Sequence, residues 1–251
     1  DKFAMSTLIT PPYASRYALQ EIVAPSGYAL LSPQDLCDIA EFDLTELHAI
    51  QHSWNDLPTD NYLKDGGRYR YRRHSCFVFD GGQLKQTPHR AHWQPIAYNA
   101  LHGGMERWFE PMSADVLESA AWRPLLHALA NLCVQLKNEP TWYLEAHQFR
   151  IDTTDGIGRP TPEGAHRDGV DFVAVLLVDR HEIKGGETRV FEAAGPNGQR
   201  FTLTESWSVL FLDDERVIHE STPIQPMGDA GHRDTLVLTF RRGGFQGSDE
   251  M

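Results

Sequence analysis

Cysteine is scarce in this sequence: Cys37, Cys76 and Cys133 lie far apart, show no CxxC spacing and cannot all pair. That argues against a disulfide framework or a structural zinc site and points to a reducing compartment. Long apolar runs are also missing. No stretch approaches roughly 18 consecutive hydrophobic residues, and the N-terminus lacks the basic-then-apolar order of a signal peptide. No membrane span is expected, and the expected location is cytoplasmic. Basic charge is in short supply, with 23 Lys and Arg against 35 Asp and Glu and a formal net charge of −12. Tight binding to nucleic-acid phosphates or an anionic membrane needs clustered cations, so a small polar substrate fits better. Repeats and low-complexity linkers are absent. At 251 residues and 41% hydrophobic the chain is long enough for one core, and a single domain over 1–251 is expected. Residues 1–4, ahead of Met5, are set apart as an expression-tag remnant.

What is present falls into two textures. The helix-rich part, 5–140, is expected to buttress a β-rich part, 141–245. Within 32–54, Leu36, Ile39, Ala40, Leu44, Leu47 and Ile50 recur at helical spacing behind a Ser-Pro start, which predicts one or two helices. A second helical stretch is predicted over 113–137, with Pro124 expected to break or kink it. From Thr141 come six short β-rich runs: WYLEAHQFRI, DFVAVLLV, ETRVFEAA, SWSVLFLD, RVIHESTPI and TLVLTFRR. With no helices between them they predict an antiparallel sandwich or barrel rather than βαβ units. The alternating YRYRRHSCFVF at 69–79 is expected to extend one sheet.

Between the first two runs stands GAHRDG at 164–169, and 51 positions beyond Asp168 comes His219. In an extended segment residues i and i+2 project to the same side, so His166 and Asp168 can both reach one ion, with a distant strand supplying His219. Two imidazoles and one carboxylate on one face of an iron(II) ion leave the opposite face open for a co-substrate and O₂. Alone, H-x-D is a weak signal in a chain with 12 His. The same triplet recurs at His232, Arg233 and Asp234, where no His follows to complete a triad, and that copy is given no metal role.

A ketoacid that chelates iron through its keto and C1 carboxylate oxygens leaves a second carboxylate, for which Arg is the fitting partner. Arg233 lies 14 positions after His219 and leads into TLVLTF, and Thr235 on the same face adds a hydroxyl. Surface pairing of Arg233 with Asp234 or Asp229 is the plain alternative, and Arg241 and Arg242 are rival anchors.

With these residues assembled, the chain resembles the bacterial 2-oxoglutarate/Fe(II) dioxygenase family that includes L-isoleucine dioxygenase and related free-amino-acid hydroxylases. The resemblance rests on PTPEGAHRDGVDFV (160–173), GGET (185–188) and HESTPI followed by RDTLVLTF. It covers roughly 69–245, more loosely before 141, where Gln94, Tyr98, Asn99, Gly104, Arg107, Trp108 and Phe109 echo the family. It implies a mainly β fold with flanking helices, built on a double-stranded β-helix (jelly-roll, cupin-like) core. It implies Fe(II) on His166, Asp168 and His219, 2-oxoglutarate on Arg233, and O₂ as oxidant. The implied reaction is hydroxylation of an aliphatic C–H, or sulfoxidation, of a free L-amino acid such as isoleucine, leucine or methionine.

An unselective oxidant needs a tightly positioned substrate, so inward-facing polar residues are candidate clamps. On WYLEAHQFRI, alternation puts Tyr143, Glu145, His147 and Phe149 on one face and Trp142, Leu144, Gln148 and Arg150 on the other. The two sets cannot both line a cavity. Arg150 is a candidate for the substrate carboxylate and Glu145 or Asp171 for its ammonium, with His147, Tyr98 and Asn99 as further candidates. Phe172 and Trp207 read as plain core. Gly185 and Gly186, like Gly243 and Gly244, read as turns rather than phosphate cradles. Two rival readings remain at this stage: the same chemistry on a peptide- or carrier-bound residue, and a cupin-like binding protein without redox chemistry.

Overall fold

Strand alternation sorts the side chains of this fold into two faces, and the sorting creates the site. The computed structural model describes residues 8–247; the expected tag remnant lies outside the described residues. In chain order come α1 (Leu19–Ser26), β1 (Tyr28–Leu31), α2 (Pro33–Ala40), α3 (Leu44–His48), β2 (Arg70–Asp80), β3 (Gln83–Gln86), α4 (Ala114–Leu117), α5 (Trp122–Lys137), β4 (Thr141–Asp152), β5 (Phe172–His181), β6 (Ile183–Gly185), β7 (Thr188–Glu192), β8 (Gly198–Phe201), β9 (Val209–Asp213), β10 (Val217–Ser221), β11 (Ile224–Pro226) and β12 (His232–Arg241). Seven strands form an antiparallel sheet in the order β1-β9-β5-β12-β4-β2-β3. A second sheet runs β10-β7-β8, and β11 pairs with β6. This is the expected jelly-roll.

On β5, Phe172, Ala174 and Leu176 face the helices, where they pack with Trp142, Leu144, Leu236, Leu238 and Phe240 against Leu125, Leu126 and Leu129 of α5. The intervening Val173 and Leu177 face the second sheet and pack with Leu210, Leu212, Val190, Phe201 and Val217. A two-residue period that is apolar on both faces is what a strand buried between two layers requires.

The helices follow local rules. Ser32 caps α2 by accepting from the Asp35 amide at 3.2 Å, Pro33 takes the first turn, and Glu41 (φ 59) ends the helix in the left-handed conformation. The stretch expected at 113–137 is two helices, separated at 118–121. Pro124 sits in the first turn of α5, where its missing N–H leaves no bond unmade, so it helps start that helix instead of kinking it.

One irregularity bears on the site. Strand β12 runs between β4 and β5, and its register with β5 shifts between Asp234, opposite Asp179, and Thr235, opposite Leu177. Val178 is the extra residue of a β-bulge, and it is fully buried against the helix-side core.

Candidate active site

The backbone brings two distant histidines together. His166 and His219 exchange reciprocal main-chain hydrogen bonds of 3.1 Å, an isolated antiparallel bridge between the loop after β4 and strand β10. Their rings lie with centroids 4.7 Å apart. Asp168, two residues on from His166, comes between them: its Oδ1 is 3.6 Å from His166 Nε2 and its Oδ2 3.9 Å from His219 Nε2. The Gly164 carbonyl accepts from His166 Nδ1 at 2.9 Å, which leaves the Nε2 lone pair toward the group. Three ligand atoms within 4.8 Å of one another form a donor set that fits a divalent cation.

The electrostatics agree. Burial disfavours charge on His166, but the Asp168 carboxylate and then Glu163, whose Oε1 lies 3.5 Å from Nε2, outweigh it and push the imidazole up to about 10. Burial and the charge of His166 hold His219 down to about 4. Asp168 stays well below the usual carboxylate range: burial opposes its charge, and the two imidazoles overcome that. The corner attracts positive charge.

Asp214 shapes the loop that carries Asp168. Its carboxylate accepts from the backbone N–H groups of Asp168, Gly169 and Val170 at 2.8 to 3.1 Å. Burial first, and Asp168's charge second, raise its pKa to about 7. Gly169 (φ 78) is required twice over: the backbone is left-handed, and a Cβ there would stand 2.4 Å from the Tyr98 ring. Tyr98 therefore braces the loop, with the Arg167 guanidinium 5.6 Å from its ring centre. The Gln94 amide donates to Asp168 Oδ1 at 3.3 Å and accepts from Arg107 at 3.1 Å and Asn99 at 3.0 Å.

The triad opens onto a cavity between the sheets. Its floor follows from register. Across β12, β4 and β2 the inward rows are Arg233, Ile151, Arg70, then Thr235, Phe149, Arg72, then Val237, His147, His74. Arg233 is buried, and its Nη2 has no hydrogen-bond partner among the described residues. Of the cofactor- and substrate-binding candidates read from the sequence, Arg233, Thr235, Glu145, His147 and Asn99 line this cavity.

Others lie elsewhere. Arg150 faces the helix side, where both Asp234 oxygens accept from it at 2.8 Å, so it is no substrate clamp; the inward set on β4 is the one containing Glu145. Asp171 is neutralised by Arg242 at 2.7 Å and points away from the cavity, which also removes Arg242 as a rival anchor. Arg241 does not line the cavity either; it donates to the Gly244 carbonyl. Tyr98 is a brace and not part of the lining. Sequence reasoning missed Arg70, Arg72, His92 and Glu163 as lining residues. Alternation on YRYRRHSCFVF carried the signal for the first two, with arginines at i and i+2 on one face.

Two further groups combine His and acids at ligand-like distances. In one, Glu145 Oε1 accepts from His74 Nε2 at 2.8 Å and His92 Nδ1 at 3.1 Å, while His147 Nδ1 accepts from Arg72 at 2.9 Å. In the other, Asp179, His232 and Asp234 lie on the helix-side face, and Arg150 already occupies Asp234.

Comparison with solved structures places the fold first. IDO from Bacillus thuringiensis is 16% identical over 97% of this chain and 100% of its own, with a TM-score of 0.74. TqaL, an Fe(II)/α-ketoglutarate-dependent dioxygenase, is 17% identical over 92% and 90%, with a TM-score of 0.70. A bsmA homolog from Methylobium petroleophilum PM1 is 51% identical over 95% of this chain and 98% of its own, with a TM-score of 0.90. No match was found among curated proteins. The description "2OG-Fe dioxygenase" matches residues 51–239, three quarters of the sequence, and the chain belongs to that family. It is an enzyme whose family uses Fe(II), 2-oxoglutarate and O₂. A non-catalytic cupin-like role is thereby set aside. Among the described residues no helix is long and apolar enough to cross a membrane.

Proposed function

We propose that the protein hydroxylates, or sulfoxidises, a free aliphatic L-amino acid such as isoleucine, leucine or methionine. In this reading His166, Asp168 and His219 hold Fe(II), and Arg233 with Thr235 receives the distal carboxylate of 2-oxoglutarate. The donor set suits the ion, and the unpartnered buried Nη2 of Arg233 suits the diacid. When bound, iron and 2-oxoglutarate supply O₂-dependent insertion of one oxygen atom into the substrate, with succinate and CO₂ as co-products.

The chain's own part is placement. Val175 and Val237 from neighbouring strands, with Ile151 and Phe149, form an apolar wall on the way to Arg233 that excludes water from the diacid's methylenes. The observation that carries the amino-acid reading is the pairing of Arg107 and Glu163 in one cavity beside His166. Arg107 is buried, with its Nε unpartnered; Glu163 lies 3.5 Å from the His166 imidazole. A cation and an anion facing one space match a zwitterion, the carboxylate on Arg107 and the ammonium on Glu163. Gln94, bonded to both Arg107 and Asp168, fixes the distance between that clamp and the metal group.

Offering each of the twenty amino acids with Fe(II), ascorbate and 2-oxoglutarate tests this. The expected outcome is succinate formation coupled to a one-oxygen mass gain for one or a small set of aliphatic residues. If no free amino acid couples, the substrate reading fails while the family chemistry stands.

A further inference from the structure

Arg233 lines the cavity, and a second guanidinium, that of Arg180, stands beside it just behind the lining. On β5 the residues facing the barrel interior are odd-numbered up to Leu177, so an unbroken strand would turn Arg180 toward the helices. The bulge at Val178 reverses that phase. Beyond it Asp179 pairs with Asp234, and Arg180 sits directly opposite Arg233 on the inward side.

Two guanidiniums paired across neighbouring strands repel each other. Other arginines of the β-sheet have acids: Arg70 has Asp60 at 2.7 Å and Arg150 has Asp234 at 2.8 Å. Arg180 and Arg233 have none among the described residues. Arg180 makes one hydrogen bond, from Nη2 to the Ile183 carbonyl at 3.3 Å, and its Nη1 is buried without a partner, as is Nη2 of Arg233. Both side chains border Gly186, where a Cβ would stand 3.1 Å from Arg180 Nη1 and 3.5 Å from Arg233 Cδ. The glycine leaves room beside both cations. Burial and the neighbouring Arg180 charge draw the Arg233 pKa down to about 10, a cost that a shared anion relieves.

We infer that Arg180 is a second cation for the distal carboxylate of 2-oxoglutarate, delivered by the β5 bulge so that the diacid is seated between two guanidiniums. The inference rests on the Arg233 assignment above. It is tested by anaerobic calorimetric titration of the Fe(II)-loaded protein with 2-oxoglutarate and with 2-oxopentanoate, which keeps the chelating end and replaces the distal carboxylate by a methyl group. Arg180→Leu should weaken 2-oxoglutarate roughly 10-fold, in line with one charge-assisted hydrogen bond, and leave 2-oxopentanoate unchanged. Arg180→Lys should recover most of the loss. Equal weakening of both ligands would mean that Arg180 only supports the fold, and an unchanged 2-oxoglutarate affinity would mean that it does not reach the ligand; either result overturns the inference. Failure of the unsubstituted protein to prefer 2-oxoglutarate over 2-oxopentanoate would instead sink the Arg233 reading beneath it.

Discussion

Two groups in this molecule draw on the same chemistry, imidazoles and a carboxylate, and differ in what those side chains already bond. In the group on β2 and β4, Glu145 is held by two imidazoles, His147 accepts from Arg72, and the His74 and His147 rings stack with centroids 4.7 Å apart. The atoms that face one another there are already bonded, Glu145 Oε1 to two ring nitrogens and His147 Nδ1 to Arg72, and the guanidinium of Arg72 adds a positive charge that repels a dication. In the group of His166, Asp168 and His219 the ring nitrogens and carboxylate converge with no guanidinium bonded to them; the contacts that reach the converging atoms are the neutral Gln94 amide on Asp168 Oδ1 and the Glu163 carboxylate beside His166 Nε2, neither of which repels a cation. Residue type nominates a metal site; unfilled acceptors and the sign of nearby charge select it.

The comparison breaks most sharply at the ligands. His219→Ala or Asp168→Ala should abolish stoichiometric iron and turnover, while His74→Gln should retain iron; bound metal after anaerobic loading, read beside succinate formation, decides. Iron lost from the His74 variant and kept by the His219 variant would reverse the assignment. Next in size, Asp214→Asn removes one of two acceptor oxygens that hold three consecutive amides, and metal affinity should fall roughly 10- to 100-fold in a competition titration.

In the metal-free protein His92 and His166 should respond to pH with opposite sign, while His219, held down to about 4, follows His92. His92 is held down to about 4 by burial against an ordinary 6.5, so the unfolded chain binds the proton first as pH falls. The stability from that neutral ring is complete above 6.5 and is lost toward pH 4, a change of about 3 kcal/mol for the one residue. His166, raised to about 10, contributes stability that is complete below 6.5 and is lost as pH rises through 10. Urea unfolding across pH should show both limbs, with His92→Gln making the acid limb shallower, since His219 and His102 still titrate there, and leaving the alkaline limb in place. The smallest catalytic effect belongs to Arg150→Ala. It should lower stability by about 1–3 kcal/mol through the stranded Asp234, yet change turnover less than roughly twofold, because the residue is outside the cavity.

Much of this was legible in the sequence where a rule acts over short range. The long strands announced themselves by composition, and the i, i+2 spacing of His166 and Asp168 needed only extended backbone. Strands β1, β3, β6 and β8 were not foreseen; each spans four residues or fewer, too short to display alternation, and while β3 and β8 pair with the strand just before them, β1 and β6 depend on partners far along the chain. Arg150 and Glu145 could not be ranked, since alternation divides a strand into two faces without saying which is inside. Asp214 gave no sign of its role, which arises only when the β9 end meets the 166–170 loop. Gly169 was visible as a letter in HRDG, but its reason, the Tyr98 ring, comes from a segment some seventy positions earlier.

The reciprocal main-chain bonds between His166 and His219 carry a last consequence. They make the separation of the two imidazoles a property of the polypeptide and not of whatever ion sits between them. A cation entering this corner meets ligands already in place, so uptake is governed by exchange of its water shell and of the His166 proton, without a folding step.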